Sequence, residues 1–247
     1  MVSYFYADSV EGRGMKKLYI ANWKSNKNFQ QSTAWITEFC KKIAPHVLQK
    51  DYDKEIVIAP SFPSIAGVNY FIGSQKMSDY LLLGSQDISA YPAGAYTGAV
   101  SAINLQDSGV KYAIVGHSER RKYFHETHQD IALKIEQCLE NSIQPILCID
   151  ADQAAEQFVH ISDEIRSKII LAYEPIEYIG GTETQPVEDV LKVVKEFQSR
   201  YSPKQVIYGG SVNADSVTPF LEHDEISGFL VGGASLEVES FISLLQK

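Results

Sequence analysis

The sequence has no long apolar segment and few cysteines. No stretch approaches the roughly eighteen consecutive apolar residues that a transmembrane helix needs, so we expect no membrane span. The three cysteines, Cys40, Cys138 and Cys148, lie far apart, which fits neither a disulfide framework nor a paired-thiolate zinc site. We therefore predict a soluble protein of a reducing compartment, the cytoplasm.

Basic residues are also fewer than acidic ones. The 247 residues include 22 lysines and arginines against 31 aspartates and glutamates, which gives a formal net charge of −9. Binding along a nucleic-acid backbone needs a basic face, so nucleic acid is excluded as the main partner. A small phosphorylated ligand stays open, because a few local donors can hold it. Hydrophobic residues make up 45% of the chain, as in globular rather than disordered proteins.

Residues 1–14 differ in composition from the rest of the chain. They contain acidic residues and a short aromatic cluster, with no basic segment before a long apolar core, so they resemble neither a secretory signal nor a transit peptide. Met15-Lys16-Lys17 is typical of a natural start. We interpret residues 1–14 as a disordered upstream extension or cloning remnant. No linker rich in Pro, Gly or Ser divides residues 15–247, which we predict to form one domain.

Short apolar runs recur along residues 15–247. Each is too short for a helix and ends in glycine, proline or a polar residue. Their apolar character is continuous rather than alternating, as expected for parallel strands that helices cover. The eight predicted strands are Leu18–Ala21, Ile56–Ala59, Leu81–Gly84, Tyr112–Val115, Ile146–Ile149, Ile169–Ala172, Val206–Tyr208 and Phe229–Val231.

Helical patterns separate these strands. Apolar residues spaced as on one face of a helix occur in three stripes: Trp35, Ile36, Phe39, Cys40 and Ile43; Ile131, Ile135 and Leu139; and Val190, Val193, Val194 and Phe197. Strands that alternate with helices form right-handed βαβ units, and eight such units fit a closed (β/α)8 barrel. An open doubly wound sheet is the alternative, although it usually has fewer strands.

In a parallel barrel the chemistry lies at the carboxyl ends of the strands, so polar residues that follow the strands are candidates. Lys24 follows the first strand, where an ammonium can hold an anion, although most lysines are simply solvated. His117 follows the fourth strand beside a predicted helix start, whose N–H dipoles favour a neutral imidazole; a structural histidine is the alternative. Glu174 directly ends the sixth strand, so we expect its carboxylate at the barrel mouth rather than in a solvated turn.

Glycines mark two further features. Ile176–Thr182 has two glycines and no helical period, which is the composition of a mobile lid, although an idle surface loop looks the same. Gly209-Gly210-Ser211 and Gly232-Gly233 follow the seventh and eighth strands, where exposed N–H groups at helix starts bind anions. Tight turns also require glycine, so one pair alone is weak evidence. Two pairs at these positions predict a phosphate site.

Five motifs, taken in order, resemble those of the triosephosphate isomerase family. They are Asn-x-Lys, Gly-His-Ser-Glu-Arg-Arg, Ala-Tyr-Glu-Pro, Tyr-Gly-Gly-Ser-Val and Gly-Phe-Leu-Val-Gly-Gly-Ala-Ser-Leu. The resemblance covers nearly all of residues 15–247. It implies a single-domain TIM barrel that interconverts dihydroxyacetone phosphate and D-glyceraldehyde 3-phosphate without a metal or an organic cofactor.

The resemblance also implies residue roles. A glutamate base with a neutral histidine electrophile is the known arrangement in this family, and we take these roles from it rather than from the sequence. By motif, the resemblance makes Glu174 the base and His117 the electrophile, Asn22 and Lys24 the substrate-contacting pair, Gly180 the lid glycine, and Ser211, Gly232 and Gly233 the phosphate binders.

The segment Ser89–Val100 is a long loop rich in glycine, alanine and tyrosine. A loop of this length is usually functional or disordered, and its apolar residues favour contact with a partner. Thr97 matches the loop tip that reaches into the neighbouring subunit in the family, which implies a homodimer, with a tetramer as the alternative. Ala99 stands where the family usually has the glutamate that pairs with an arginine, here Arg120. We expect Arg120 to lie unpaired unless water or an acid such as Glu119 replaces that glutamate.

Other departures concern the lid and the segment that precedes it. Asp150 follows Cys148-Ile149 in place of Gly-Glu, Glu177 stands where bacterial and eukaryotic members have tryptophan, and Gly181 interrupts the usual lid tip. The stretch from Cys148 to Ala172 is short, as in archaeal-type members.

These departures suggest a second hypothesis, a phosphate-ligand-binding barrel that has lost turnover. The presence of Lys24, His117 and Glu174 together argues against it. A different phosphosugar isomerase on the same fold is a weaker third hypothesis, because such an enzyme would not need these five motifs in this order.

Overall fold

The computed structural model describes residues 16–49, 52–181 and 183–247. Residues 1–14, which we interpreted as an extension, lie outside the described residues. The strands are β1 Lys17–Asn22, β2 Lys54–Ala59, β3 Leu81–Ser85, β4 Val110–Val115, β5 Gln144–Ile149, β6 Ile170–Tyr173, β7 Gln205–Tyr208 and β8 Gly228–Val231. The helices are α1 Phe29–Val47, α2 Ile65–Ser74, α3 Ala102–Asp107, α4 Ser118–Phe124, α5 His128–Glu140, α6 Ala151–Val159, α7 Asp163–Arg166, α8 Val187–Tyr201, α9 Thr218–Leu221 and α10 Val238–Leu245, with short 3-10 helices at Phe62–Ser64, Ile176–Tyr178 and Gly233–Ser235.

The strands of the described residues form one closed parallel barrel. They pair in sequence order from β1 to β8, and β8 pairs in turn with β1. The predicted (β/α)8 barrel is thus confirmed, and the open doubly wound sheet is excluded. Each predicted strand lies on an observed one, although β6 starts one residue later than predicted and continues to Tyr173. This shift places Glu174 directly at the end of β6.

Side chains of the strands fill two separate apolar layers. One layer lies inside the barrel and consists of Leu18, Ile20, Val57, Ala59, Ile114, Ile146, Cys148, Ile170, Ala172, Ile207 and Leu230. The other, larger layer lies between the strands and the helices, and it includes the barrel-facing side chains of α1, α5 and α8. Because successive strand residues point to opposite faces, burial on both faces explains the continuous apolar runs in the sequence.

The helices turn the predicted apolar stripes toward the barrel. All five stripe residues of α1 are buried, and so are Ile131 and Ile135 of α5. In α8, Val190, Val194 and Phe197 are buried, whereas Val193 is only partly buried. Within the described ranges, every helix is too short or too polar to cross a membrane.

Closure of the barrel depends on a glycine at the first position of β8. Gly228 pairs with Leu18 of β1 and has a φ of +157°. A Cβ at Gly228 would lie 2.0 Å from the carbonyl oxygen and 2.7 Å from the nitrogen of Leu18. Both atoms belong to the backbone of the paired strand, so they cannot withdraw without opening the seam. Only glycine fits here.

We expect Gly228→Ala to destabilise the protein by at least about 2 kcal/mol, because it adds both an unfavourable φ and a backbone clash. Urea denaturation followed by circular dichroism measures the change. Gly73→Ala in α2 is the matched control. The Cβ at Gly73 would meet only Ser78 Oγ at 3.8 Å, so this variant should keep or gain up to about 1 kcal/mol. Equal stability of both variants and the parent would contradict this account of the seam.

Candidate active site

The predicted site residues meet in one cavity at the carboxyl ends of the strands. This cavity has a volume of about 390 Å³, and its lining includes Asn22, Lys24, His117, Glu174, Gly180, Ser211, Gly232 and Gly233. Sequence analysis missed other lining residues: Val212, Asn213, Leu230, Ala234 and Ser240. Val212, Leu230 and Ala234 lie within the quoted motifs but received no role there, Asn213 directly follows one of these motifs, and Ser240 lies on α10. All five are ordinary residue types, so no sequence pattern distinguishes them as lining residues.

Glu174 and His117 are in direct contact in this cavity. The backbone N–H of Glu174 donates to the carbonyl oxygen of Ile149 at 2.9 Å, which continues the β5–β6 pairing by one residue. The residue is only 2% exposed. Its Oε1 lies 3.2 Å from His117 Nε2, and its Oε2 accepts a hydrogen bond from the backbone N–H of Ser118 at 3.0 Å.

The start of α4 determines which nitrogen of His117 carries a proton. His117 is the N-cap residue of α4, and its Nδ1 accepts a hydrogen bond from the backbone N–H of Glu119 at 3.2 Å. A ring nitrogen that accepts a hydrogen bond carries no proton, so in the neutral ring the proton is on Nε2. We assign the tautomer from these partners. Nε2–H can then donate into the cavity, to Glu174 or to a ligand oxygen.

Lys24 follows β1 in a left-handed backbone conformation, with φ at +51°. This conformation costs a non-glycine residue about 1–2 kcal/mol. The backbone N–H of Lys24 donates to Asn22 Oδ1 at 3.1 Å, and its carbonyl oxygen accepts from Gln86 Nε2 at 2.9 Å. These two bonds hold the strained residue in place. The ammonium pairs with the carboxylate of Glu119 at the cavity wall.

The two glycine pairs serve different purposes. A Cβ at Gly233 would meet nothing within 4 Å, and one at Gly232 would meet only Lys24 Cε at 3.5 Å, so the backbone here is open to a ligand. At Gly209, by contrast, a Cβ would lie 3.0 Å from Glu174 Cγ, and at Gly210 it would lie 2.2 Å from the hydroxyl oxygen of Tyr208. Gly209 is thus required for close packing against the Glu174 side chain, and Gly210 for close packing against the Tyr208 side chain.

The lid segment contacts the end of β7. The backbone N–H of Ser211, a predicted phosphate donor, donates to the carbonyl oxygen of Tyr178 in the lid at 3.1 Å. Gly180 has φ at +74°, and nothing lies within 4 Å of its Cβ position. The departures at the lid are exposed: Glu177 lies in the 3-10 helix and Gly181 at the cavity edge.

The departure before the lid, Asp150, has a structural role. Its side chain caps α6 by accepting a hydrogen bond from the backbone N–H of Asp152.

Thr97 does not reach the cavity of its own chain. It lies in the exposed loop Ser89–Val100, which closes with a hydrogen bond from Ser89 N–H to the carbonyl oxygen of Val100 at 2.9 Å. The rings of Tyr91 and Tyr96 stack with centroids 4.6 Å apart and are 46% and 44% exposed. The loop therefore has a defined shape and presents two aromatic rings to its surroundings.

Arg120 has acidic partners in its own chain, but they are not the Glu119 that we named as a replacement. Its guanidinium pairs with Asp87 at 2.9 Å and with Glu126, and Lys134 bridges the same two acids, at 2.6 Å from Asp87. Glu119, which we named as a replacement, pairs with Lys24 instead. Burial raises the pKa of Asp87 above its usual value, and Lys134 opposes this shift. Two acids and two bases thus form a closed cluster beneath the loop.

Comparison with known proteins identifies the family. A family profile described as triosephosphate isomerase matches residues 17–247. Proteins named triosephosphate isomerase from Mesomycoplasma hyorhinis, Aquifex aeolicus and Thermus thermophilus are 35%, 36% and 34% identical to this chain. These matches cover 93%, 94% and 94% of this chain and 98%, 99% and 99% of the relatives. The chain therefore belongs to the triosephosphate isomerase family.

Proposed function

We propose that this member of the triosephosphate isomerase family interconverts dihydroxyacetone phosphate and D-glyceraldehyde 3-phosphate, as a cofactor-independent aldose–ketose isomerase of glycolysis and gluconeogenesis. One observation carries the proposal above the others. The carboxylate of Glu174 and the Nε2 of His117 lie 3.2 Å apart in a cavity that Lys24 and the open glycines also line. A base, a neutral hydrogen-bond donor and a cation beside an anion site are the groups that a proton transfer between adjacent carbons of a phosphosugar requires.

The reaction proceeds through an enediolate. Glu174, as a carboxylate, removes a proton from C1 of dihydroxyacetone phosphate, and the electron pair of that C–H bond forms a C1–C2 double bond. Charge then develops on the C2 oxygen, where the Nε2–H of His117 donates and the ammonium of Lys24 offsets it. The hydroxyl proton passes from the C1 oxygen to the C2 oxygen by way of His117. Glu174 returns its proton to C2, which completes the aldehyde.

Loss of phosphate from the enediolate is the side reaction that the lid must suppress. In the protein without substrate, the carbonyl oxygen of Tyr178 accepts the hydrogen bond from the backbone N–H of Ser211. Phosphate would take this donor together with the N–H groups of Gly232 and Gly233, which frees the lid from its contact with β7. Gly180 lets the released lid change its backbone direction and fold over the substrate.

A phosphate-binding barrel without turnover is the second candidate. The altered lid, with Glu177 exposed on its 3-10 helix, favours it. The direct contact between Glu174 and His117 argues against it, because binding a phosphate alone needs neither group. A coupled assay that converts the glyceraldehyde 3-phosphate product separates the two candidates.

The chain is also proposed to form a two-fold homodimer through the loop Ser89–Val100, with Thr97 placed near Asn22 and Lys24 of a second copy. The exposed Tyr91 and Tyr96 supply the apolar contact. Arg120 pairs with Asp87 and Glu126 of its own chain, so it adds no ion pair between subunits, and the dimer is weaker than is usual for the family. A tetramer is the alternative that the short Cys148–Ala172 segment suggests.

We propose a triose phosphate as the small-molecule partner, and we propose neither nucleic acid nor a membrane as a binding partner. The acidic composition supports the first exclusion, since it provides no basic face for a phosphate backbone. The three cysteines are buried free thiols, which fits a reducing compartment, the cytoplasm.

Glu174→Gln tests the assignment of the base. The variant keeps the shape of the side chain and removes its proton acceptor, so kcat should fall by about 10²–10⁴-fold with little change in KM. The coupled assay with dihydroxyacetone phosphate measures both constants. Glu177→Gln, three residues along the lid, is the control and should retain most of the activity. A Glu174→Gln variant with half the parent activity would assign the base elsewhere.

Ser211→Asp tests the phosphate site. A carboxylate beside the anion should raise KM at least about tenfold, which corresponds to roughly 1.4 kcal/mol, and sulfate should inhibit the parent competitively because it can occupy the same N–H groups. Ser162→Asp adds the same charge at the N-cap of α7, away from the cavity, and serves as the control. Equal KM values for the two variants would place the phosphate elsewhere.

Light scattering combined with activity across a dilution series tests the assembly. We expect a dimer that dissociates and loses specific activity on dilution. Tyr96→Asp should move this transition to higher protein concentration, because it places a charge in the apolar contact. Tyr70→Asp, at an exposed tyrosine of α2, should not. A fully active monomer at all concentrations would rule out the dimer, and a larger particle would support the tetramer.

A further inference from the structure

A partly buried arginine links the strand ends that carry the proposed base and electrophile. Arg121 lies in α4, and its Nε donates to the carbonyl oxygen of Gly116 at 2.7 Å. Its Nη2 donates to the carbonyl oxygen of Cys148 at 3.2 Å. Gly116 directly precedes His117 at the end of β4, and Cys148 lies in β5, which pairs with the strand that ends at Glu174. The guanidinium therefore links these two strand ends.

The backbone leaves a fitted space for this guanidinium. Gly116 has φ at +69°, and a Cβ at its position would lie 2.8 Å from Arg121 Nη2 and 3.0 Å from Ile131 Cδ1. Any other residue at position 116 would displace the arginine or the packed isoleucine. The glycine before the electrophile is thus needed for the arginine as well as for the turn.

A glutamine completes the surroundings of Arg121. Gln157 of α6 is fully buried, and its Oε1 accepts from both Nη1 and Nη2 of Arg121, each at 3.2 Å. Its own Nε2 donates to the carbonyl oxygen of His128 at 3.1 Å. In the described part of the chain, the oxygens that accept from Arg121 are carbonyl and amide oxygens, and none belongs to a carboxylate. The guanidinium is thus hydrogen-bonded but keeps its full charge, because these oxygens carry only partial charges.

Arg121 and Glu174 line one cavity together with Cys148. Burial lowers the pKa of Arg121, and Cys148, Glu174 and Glu126 oppose that lowering; arginine nevertheless stays protonated in proteins. Glu126 already pairs with Arg120 and Lys134. Glu174, by contrast, is held by a backbone N–H and an imidazole. The uncompensated charge of Arg121 therefore acts mainly on Glu174.

Several titratable groups share the surroundings of Glu174. His117 faces it from the end of β4, Lys24 lines the same cavity from the end of β1, and the thiol of Cys148 faces it from β5. The adjoining cavity that Glu174 and Arg121 line together is also lined by Glu119, Lys122, Tyr123 and Asp150. Burial raises the pKa of Cys148 well above its usual value, so the thiol is neutral. Gly209, directly after β7, leaves the space that the Glu174 side chain occupies.

Arg121 has two further titratable neighbours, on α5 and α6. His128 Nδ1 lies 3.3 Å from Arg121 Nη1 and 2.9 Å from Gln157 Oε1. Its Nε2 lies 3.6 Å from Glu156 Oε2, an exposed carboxylate. A test of Arg121 must separate its charge from that of His128.

We propose that Arg121 is a positioning residue of the isomerase, and that Gln157 holds it as an unneutralised cation whose charge stabilises the negative charge of the Glu174 carboxylate. The proposal rests on the proposed function, in which Glu174 is the base. The neutral partner is central to it, because a carboxylate at position 157 would hold the guanidinium equally well but would cancel its charge.

Gln157→Glu tests the proposal by adding that carboxylate at nearly constant shape. With the charge of Arg121 cancelled, the ionised form of Glu174 loses support, so protonation of the base begins at higher pH. We expect the acid limb of the profile of kcat/KM against pH to shift to higher pH by about 0.5–1 unit. At alkaline pH, kcat and KM should stay within about twofold of the parent, since the substituted residue, Gln157, is fully buried and does not line the cavity. Ionisation of the substrate phosphate is common to all variants and cancels in the difference.

Three control variants isolate the charge. Gln129→Glu adds the same charge on the exposed side of α5, without contact to Arg121, and should leave the limb in place. Gln157→Met disturbs the same buried position but leaves Arg121 charged, so it can lower stability without moving the limb. His128→Asn removes the neighbouring imidazole and should also leave the limb unchanged.

The outcomes separate this proposal from the proposed function. The charge role of Arg121 is overturned if the acid limb does not move in Gln157→Glu, or if it moves equally in Gln157→Met. If Glu174→Gln is inactive in the same assay, the assignment of the base is unaffected by that result. If Glu174→Gln keeps its activity, the assignment of the base fails first. A shift confined to Gln157→Glu would support both.

Discussion

The catalytic geometry depends on two backbone N–H groups at the start of α4. The N–H of Ser118 donates to one oxygen of Glu174, and the N–H of Glu119 donates to Nδ1 of His117. Amides in the first turn of a helix have no partner within the helix, so both are available to side chains. One amide fixes the position of the carboxylate and the other fixes the tautomer of the imidazole. Because both amides belong to one helix turn, the carboxylate of Glu174 and the imidazole of His117 keep a fixed position relative to each other.

The barrel provides this helix turn with its partners. β4, β5 and β6 are adjacent in the closed sheet, and the hydrogen bond from Glu174 N–H to the Ile149 carbonyl extends their pairing to the proposed base. Gly209 then lets β7 approach the side chain of Glu174 from the other side. Arg121 links the ends of β4 and β5 through hydrogen bonds to the carbonyl oxygens of Gly116 and Cys148. Since these contacts are made by backbone or buried groups, the pair is already assembled before substrate arrives.

The sequence predicted the strands and the cavity lining well because both follow from simple regularities. Continuous apolar runs mark strands that are buried on both faces, and the carboxyl ends of parallel strands must converge, so the sequence alone places Lys24, His117 and Glu174 together. The five motifs then supplied the roles that the family implies.

What could not be predicted depends on loop geometry and on side chains that meet from distant elements. Asp87 and Glu126 are far apart in sequence, and no pattern showed that both would reach Arg120. The engagement of the Ser211 N–H by the Tyr178 carbonyl depends on the resting position of the lid. Gly209 and Gly232 look alike in the sequence, yet one is needed for packing and the other leaves an open backbone. Only the folded positions of their neighbours distinguish them.

Nitrogen-15 NMR of the histidine-labelled protein tests the central claim most directly, because it reports the proton on each ring nitrogen separately. Signals of His117 can be assigned by their loss in His117→Asn. We expect a proton on Nε2 and none on Nδ1, as the hydrogen bond from Glu119 N–H to Nδ1 requires. A proton on Nδ1 would show that the start of α4 does not set the tautomer and would contradict the account.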